Sequence, residues 1–158
     1  MYKVTFDTKG LNKLTTKQVI PEMYDIGLEI QNFVKERFLQ GNWLDTTPEP
    51  WKPVEGKTRT LIESGNLWNS IRIMGITKWS VETGSDLPYA DIHNEGGTIK
   101  VTEKQRKYFW RKYNETKNLM WKHLALTDKI TIPKRQFIGE SVELVNRIKG
   151  LTDKKIKE

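Results

Sequence analysis

The stretch "PYADIHNEGG" (residues 88–97) carries His93, one of two histidines in the chain, two positions before Glu95 and just ahead of the pair Gly96 and Gly97. An imidazole and a carboxylate this close invite a metal or acid–base reading. A metal site, however, needs about three or four ligands. His93 and Glu95 supply only two. A metal-dependent hydrolase built on His93 would have to recruit carboxylates such as Asp86 or Asp91, and a structural or interface histidine is the simpler reading. Serine chemistry is no better supported: "IESGN" lacks the strand-turn-helix glycines of a nucleophile elbow, so Ser64 and Ser70 are expected to cap or end a turn. "NEGGT" lacks the Lys-Ser or Lys-Thr of a phosphate-binding loop. Glu29 and Glu36 read as a solvated helix face. No cofactor and no metal are expected, and a chain without cysteine has neither a disulfide framework nor a thiolate site.

The formal charge of +7 is unevenly placed. Between Thr98 and His123 stand eight basic residues against two acidic ones, while the remainder of the chain is nearly balanced. Tyr108, Phe109, Trp110, Tyr113 and Trp121 are interleaved with these cations. Lys104, Arg106, Lys107, Arg111 and Lys112 could meet phosphates while the rings stack on bases. The competing reading is an amphipathic hairpin whose rings pack while its cations stay wet or meet a protein partner; it is preferred, because stacking needs exposed rings in register with a groove.

Such residues need elements to hold them. A chain of 158 residues fits a single domain, 1–158, with enough apolar and aromatic side chains for one core. "YKVTFD" alternates as a half-buried strand, and "TKGLNK" ends it. Met23, Ile26, Ile30, Phe33, Val34 and Phe38 recur at helical spacing between Pro21 and Leu39, with Gly41 placed to close the helix. "GNWLDTTPEPWKPVEG" is expected to be extended or turned and largely unable to form ladders, pinned by its tryptophans. "TRTLIESGNLWNSIRI" predicts a short helical turn entering a strand, and "SIRIMGI" with "KWSVETG" a β-hairpin. "TIKV" and "KITIP" predict a paired stem for an inserted helical excursion, 98–128, with a Thr102–Gln105 capping box. Within it, Met120, Trp121, Leu124 and Ala125 fall on one face. Val142, Val145 and Ile148 predict the inner face of a C-terminal helix whose last six or so residues fray. The fold class is α+β: a mainly antiparallel sheet against a long first helix and a C-terminal helix. No run approaches the roughly 18 apolar residues of a membrane span, nor is a signal peptide evident, so a soluble intracellular product is expected.

Taken in order, "ERF", "PEPWKPV", "LIESGNLWNSI", "VETGSDLPYADIHNEGG" and "IPKRQFIGES" resemble the virion morphogenesis family of tailed phages, which includes Mu-like tail-completion proteins. The resemblance runs roughly from Ile26 to Ile148. It falls on Arg37 and Phe38, Trp51 and Pro53, Gly65, Leu67, Ser70 and Ile71, Tyr89, Ala90, His93, Gly96 and Gly97, then Pro133, Arg135, Phe137, Gly139 and Ser141. Two departures stand out: "TTPEP" replaces an Asp-Gly turn before Trp51, and the excursion before "IPKRQF" is long. The resemblance implies a non-enzymatic structural protein of tail completion or head-tail joining, acting as a homo-oligomeric ring. Its partners would be copies of itself and tail or head-tail connector proteins, in the host cytoplasm during assembly and then in the virion. DNA would pass through without being read in sequence, and no membrane is involved. The alternative is a nucleic-acid-binding accessory protein using the basic 100–122 segment. On the resemblance, His93 sits in a turn permitted by Gly96 and Gly97, Tyr89 anchors it in the core or at a subunit boundary, and Arg135 is a buried or interface donor packed by Phe137.

Overall fold

The structure, a computed structural model, describes residues 2–7, 19–53 and 60–156. In chain order its elements are β1 (Tyr2–Asp7), α1 (Val19–Gln40), β2 (Asn42–Leu44), β3 (Pro48–Pro50), α2 (Asn66–Ser70), β4 (Arg72–Ile76), β5 (Ser80–Ser85), α3 (Ala90–Glu95), β6 (Gly97–Lys100), α4 (Glu103–Thr116), α5 (Leu119–Leu126), β7 (Lys129–Ile132) and α6 (Val142–Ile156). The chain is α+β with antiparallel pairing throughout these strands. The expected strand stop at "TKGLNK" lies outside the described residues, as do residues 54–59, where "GNWLDTTPEPWKPVEG" ends and "TRTLIESGNLWNSIRI" begins.

The principal sheet has the order β1-β5-β4. Alternation places Val4 and Phe6 opposite Thr83 and Val81, so one face is apolar and meets α1. The six apolar residues read at helical spacing in α1 are all buried. At Gly27 the helix comes so near the sheet that a Cβ would lie 2.7 Å from Ile73 Cδ1 and 2.8 Å from Val81 Cγ2. Gly41, at φ 66°, ends the helix and donates its N–H to the Arg37 carbonyl.

The Pro/Trp loop differs from expectation, because it does form a ladder. β2 and β3 pair over three residues, Asn42 with Pro50 and Leu44 with Pro48. The prolines stand on the short outer strand, where a missing N–H costs little, and Trp43 and Trp51 turn inward. The inner face of α6 also differs. Ile148 is buried as expected, but Leu144 is buried beside it while Val142 is 49% exposed. Two apolar stripes share this helix, and packing on α1 selects the second. α6 continues through Ile156, four residues into the stretch expected to fray.

Residues 97–132 form a hairpin of their own. β6 and β7 pair from Gly97–Ile132 to Lys100–Lys129. Beyond this stem α4 and α5 pack on each other around a second cluster, Val101, Phe109 and Ala125 with Trp121, Leu124 and Ile130. The capping box is present, with Thr102 Oγ1 accepting from Gln105 N and Gln105 Oε1 accepting from Thr102 N. Lys117, left-handed at φ 55°, turns the chain into α5, where Asn118 accepts from Met120 N–H. Met120 departs from the expected inner face and is 53% exposed.

Candidate functional site

The resemblance residues converge around a segment without regular structure, Pro133 to Ser141, between β7 and α6. Backbone polar groups buried in such a segment must find partners outside a helix or sheet, and the motif residues supply them together with Asn94 and Asp45. Asn94, fully buried on α3, accepts from the N–H of Phe137 at 2.9 Å and of Ile138 at 3.0 Å through Oδ1. The Arg135 N–H donates to the His93 carbonyl at 3.0 Å. Its guanidinium, 6% exposed, donates from both Nε and Nη2 to the Lys52 carbonyl at 3.1 Å. Trp51 returns the link by donating Nε1–H to the Gln136 carbonyl at 2.8 Å. Ser141 Oγ donates to the Leu44 carbonyl at 2.7 Å, and Asp45 Oδ1 accepts from Val142 N–H at 2.7 Å, which starts α6.

Aromatic packing fills this frame. Phe137 lies 4.8 Å from Phe38, which meets Trp51 edge-on at 5.8 Å; Phe33 meets Trp43 edge-on at 5.9 Å. Arg37, beside Phe38, is buried over the Phe33 ring and donates to Asn42 Oδ1 and the Phe33 carbonyl. Burial pulls its pKa down, opposed by Glu36. Glu29 and Glu36 are therefore not a solvated face: both pair with Arg147 of α6, at 3.6 and 2.9 Å.

His93 sits in a helix rather than a turn. α3 spans Ala90–Glu95, and Gly96 at φ 71° closes it. A Cβ on Gly96 would lie 2.6 Å from Lys134 N, so the close passage of the Arg135 segment requires glycine here. The His93 ring meets Tyr89 edge-on at 5.9 Å, and its Nδ1 is buried without a hydrogen-bond partner. Burial, aided by the nearby Arg135 charge, holds its pKa below the usual histidine value. Burial likewise lowers that of Arg135. Among the described residues no group of three or more His, Asp or Glu side chains is placed to hold a metal ion.

Not every motif residue joins this frame. Tyr89 is a surface residue, and Pro53 is exposed. Gly65, at φ 71°, opens α2, while Leu67 enters the main core. Ser70 donates to the Leu67 carbonyl and shares a 2.7 Å hydrogen bond with Ser85, tying α2 to the end of β5. Gly139, at φ 156°, lies beside Gln136 and Trp43.

The five candidate phosphate contacts divide on the hairpin. Arg106 is structural: it donates to the Ala125 carbonyl at 2.6 Å and pairs with Asp128 at 2.9 Å. Arg111 and Lys112 share Glu115, and Arg111 also lies over Tyr108. Lys104 and Lys107 are exposed and make no ion pair among the described residues. Phe109 and Trp121 stack at 6.0 Å inside the hairpin, while Tyr108 and Trp110 keep over a third of their surface in solvent.

Asn94, Asp45 and Arg147 were missed as frame-builders. Asn94 sits inside "IHNEGG" beside His93, and the role of a buried amide shows only in the fold, where its oxygen faces two N–H groups. Among the described residues no helix is long and apolar enough to cross a membrane.

Comparison with curated proteins and with solved structures finds no match. Comparison with families finds one over residues 8–157, nearly the whole chain, which takes in α1, the β4–β5 pair, the frame around Pro133 to Ser141 and the hairpin, with β1 just outside it. On that match the chain belongs to the phage virion morphogenesis family, and its role is that of a structural or assembly protein of the phage particle.

Proposed function

We propose that the protein completes the phage tail or joins it to the head as a closed ring of identical subunits, without catalytic activity of its own. The observation that carries this reading is how the side chains of the frame around residues 133–141 are used. Asn94, Arg135, Trp51 and Ser141 spend their polar groups on backbone partners within the chain, which builds a rigid body and leaves recognition to its surface. A ring needs two different patches per subunit that meet head to tail. Exposed apolar residues on the hairpin favour protein contact.

Native mass by light scattering, across concentration and at low and high salt, with and without short duplex DNA, tests the reading. A discrete oligomer indifferent to DNA is the expected outcome. Exposed Lys104 and Lys107 beside Tyr108 favour a second reading, an accessory nucleic-acid binder. It requires a mass shift with DNA that salt abolishes and that weakens in the Lys104→Gln, Lys107→Gln variant.

A further inference from the structure

β1 is an edge strand, paired only with β5 among the described residues. Its outer side, α1 and the start of α6 enclose a cleft of about 710 Å³. Val4 and Phe6, Ile30, Leu144 and Val145 give it apolar walls, and Asp7, Asp45 and Glu140 against Lys149 give it an acidic rim. Two of the polar groups at its α6 end are already used: Asp45 Oδ1 accepts from the N–H of Val142, and Ser141 Oγ donates to the Leu44 carbonyl. An apolar knob with positive flanks would fit both wall and rim. A strand edge unpaired among the described residues, beside an apolar cleft, is also a surface that folded proteins normally cover.

The same chain carries such a knob. At the turn between α4 and α5, Leu119 is 70% and Met120 53% exposed. Lys117 and Lys122 stand on either side of them in sequence, within the most basic stretch of the protein. No hairpin residue lines the cleft, so knob and cleft are distinct patches, as a head-to-tail contact requires.

The geometry points to a self-assembly contact in which the Leu119–Met120 tip of one copy inserts into the β1–α6 cleft of the next. This rests on the ring reading and specifies its interface. Apolar insertion supplies the anchor, and the opposite charges of tip and rim set orientation and approach.

The absence of cysteine makes a clean test. Met120→Cys and Val142→Cys are prepared separately; both positions are exposed, and Val142 lines the cleft. On oxidation, the mixture is expected to give a cross-linked dimer that neither variant gives alone. Leu119→Asp with Met120→Asp is expected to reduce the native mass to that of the monomer while leaving thermal unfolding unchanged. An oligomer that survives the double aspartate change and gives no mixed cross-link overturns this contact but leaves the ring reading standing. Cross-linking of the mixture without any stable oligomer supports the contact and sinks the closed ring. A monomer at every concentration that gives no cross-link overturns both.

Discussion

Trp43 and Trp51 in the body are buried, and Trp51 hands its indole N–H to a backbone carbonyl across the fold. Trp110 and Tyr108 in the hairpin lie partly in solvent, and the cations around them mostly meet neighbours on the same hairpin. The body is held by contacts far apart in sequence: Arg135 to Lys52, Asn94 to Phe137, Ser141 to Leu44. The hairpin is held by local ones: the Thr102 capping box, Arg106 to Ala125, the α4–α5 cluster. Local contacts cost little chain entropy to close, and they let a segment keep its own small core while its outer surface stays free for a partner.

The largest expected effect separates the two cores. Phe137→Ala should cost about 3–5 kcal/mol in denaturant unfolding, as for a fully buried ring. Phe109→Ala should instead speed amide exchange within 97–132 and hardly move the body's midpoint. Equal losses in one global transition would make the two clusters a single cooperative unit and erase the contrast. Next, Asn94→Ala should cost about 2–4 kcal/mol, because two buried N–H groups lose their acceptor. A loss no larger than at a surface position would show that the segment finds other partners. Arg106→Gln should cost about 1 kcal/mol, read as local exchange in α5 and β7, since one partner is backbone and the other an exposed carboxylate.

The smallest effect is pH-dependent. With its pKa below 6.5 in the folded chain, His93 is held neutral, so its contribution is complete above the unfolded value and is lost as pH falls below it. Melting followed from neutral pH to about pH 5 should show an acid-side loss that His93→Gln reduces. An unchanged acid slope would place the loss elsewhere.

Much of the molecule was legible in advance because periodicity is a local property. The alternation of Val4 and Phe6, the α1 stripe, the β4–β5 hairpin and the β6–β7 stem each follow from apolar spacing and turn residues within one segment. Reading failed where a choice depended on a distant neighbour. Periodicity admitted either stripe of α6, and contact with α1 took Leu144 over Val142. The Pro-rich loop could pair because its prolines needed to serve only an outer, three-residue strand.

The elements, the uneven charge and the order of the family's motifs follow from residue spacing along the chain. What those motifs do follows from how the chain packs. Whether Asn94, Arg135 or Glu36 is a solvated group, a reacting group or a strut depends on which backbone atoms and charges come within about 3 Å of it. That distance is set by the packing of α1, α3 and the β2–β3 ribbon around residues 133–141, and no spacing along the chain encodes it directly. The cleft beside β1 and the exposed Leu119 and Met120 likewise appear only when the chain has folded, because both are defined by what the rest of the protein leaves uncovered.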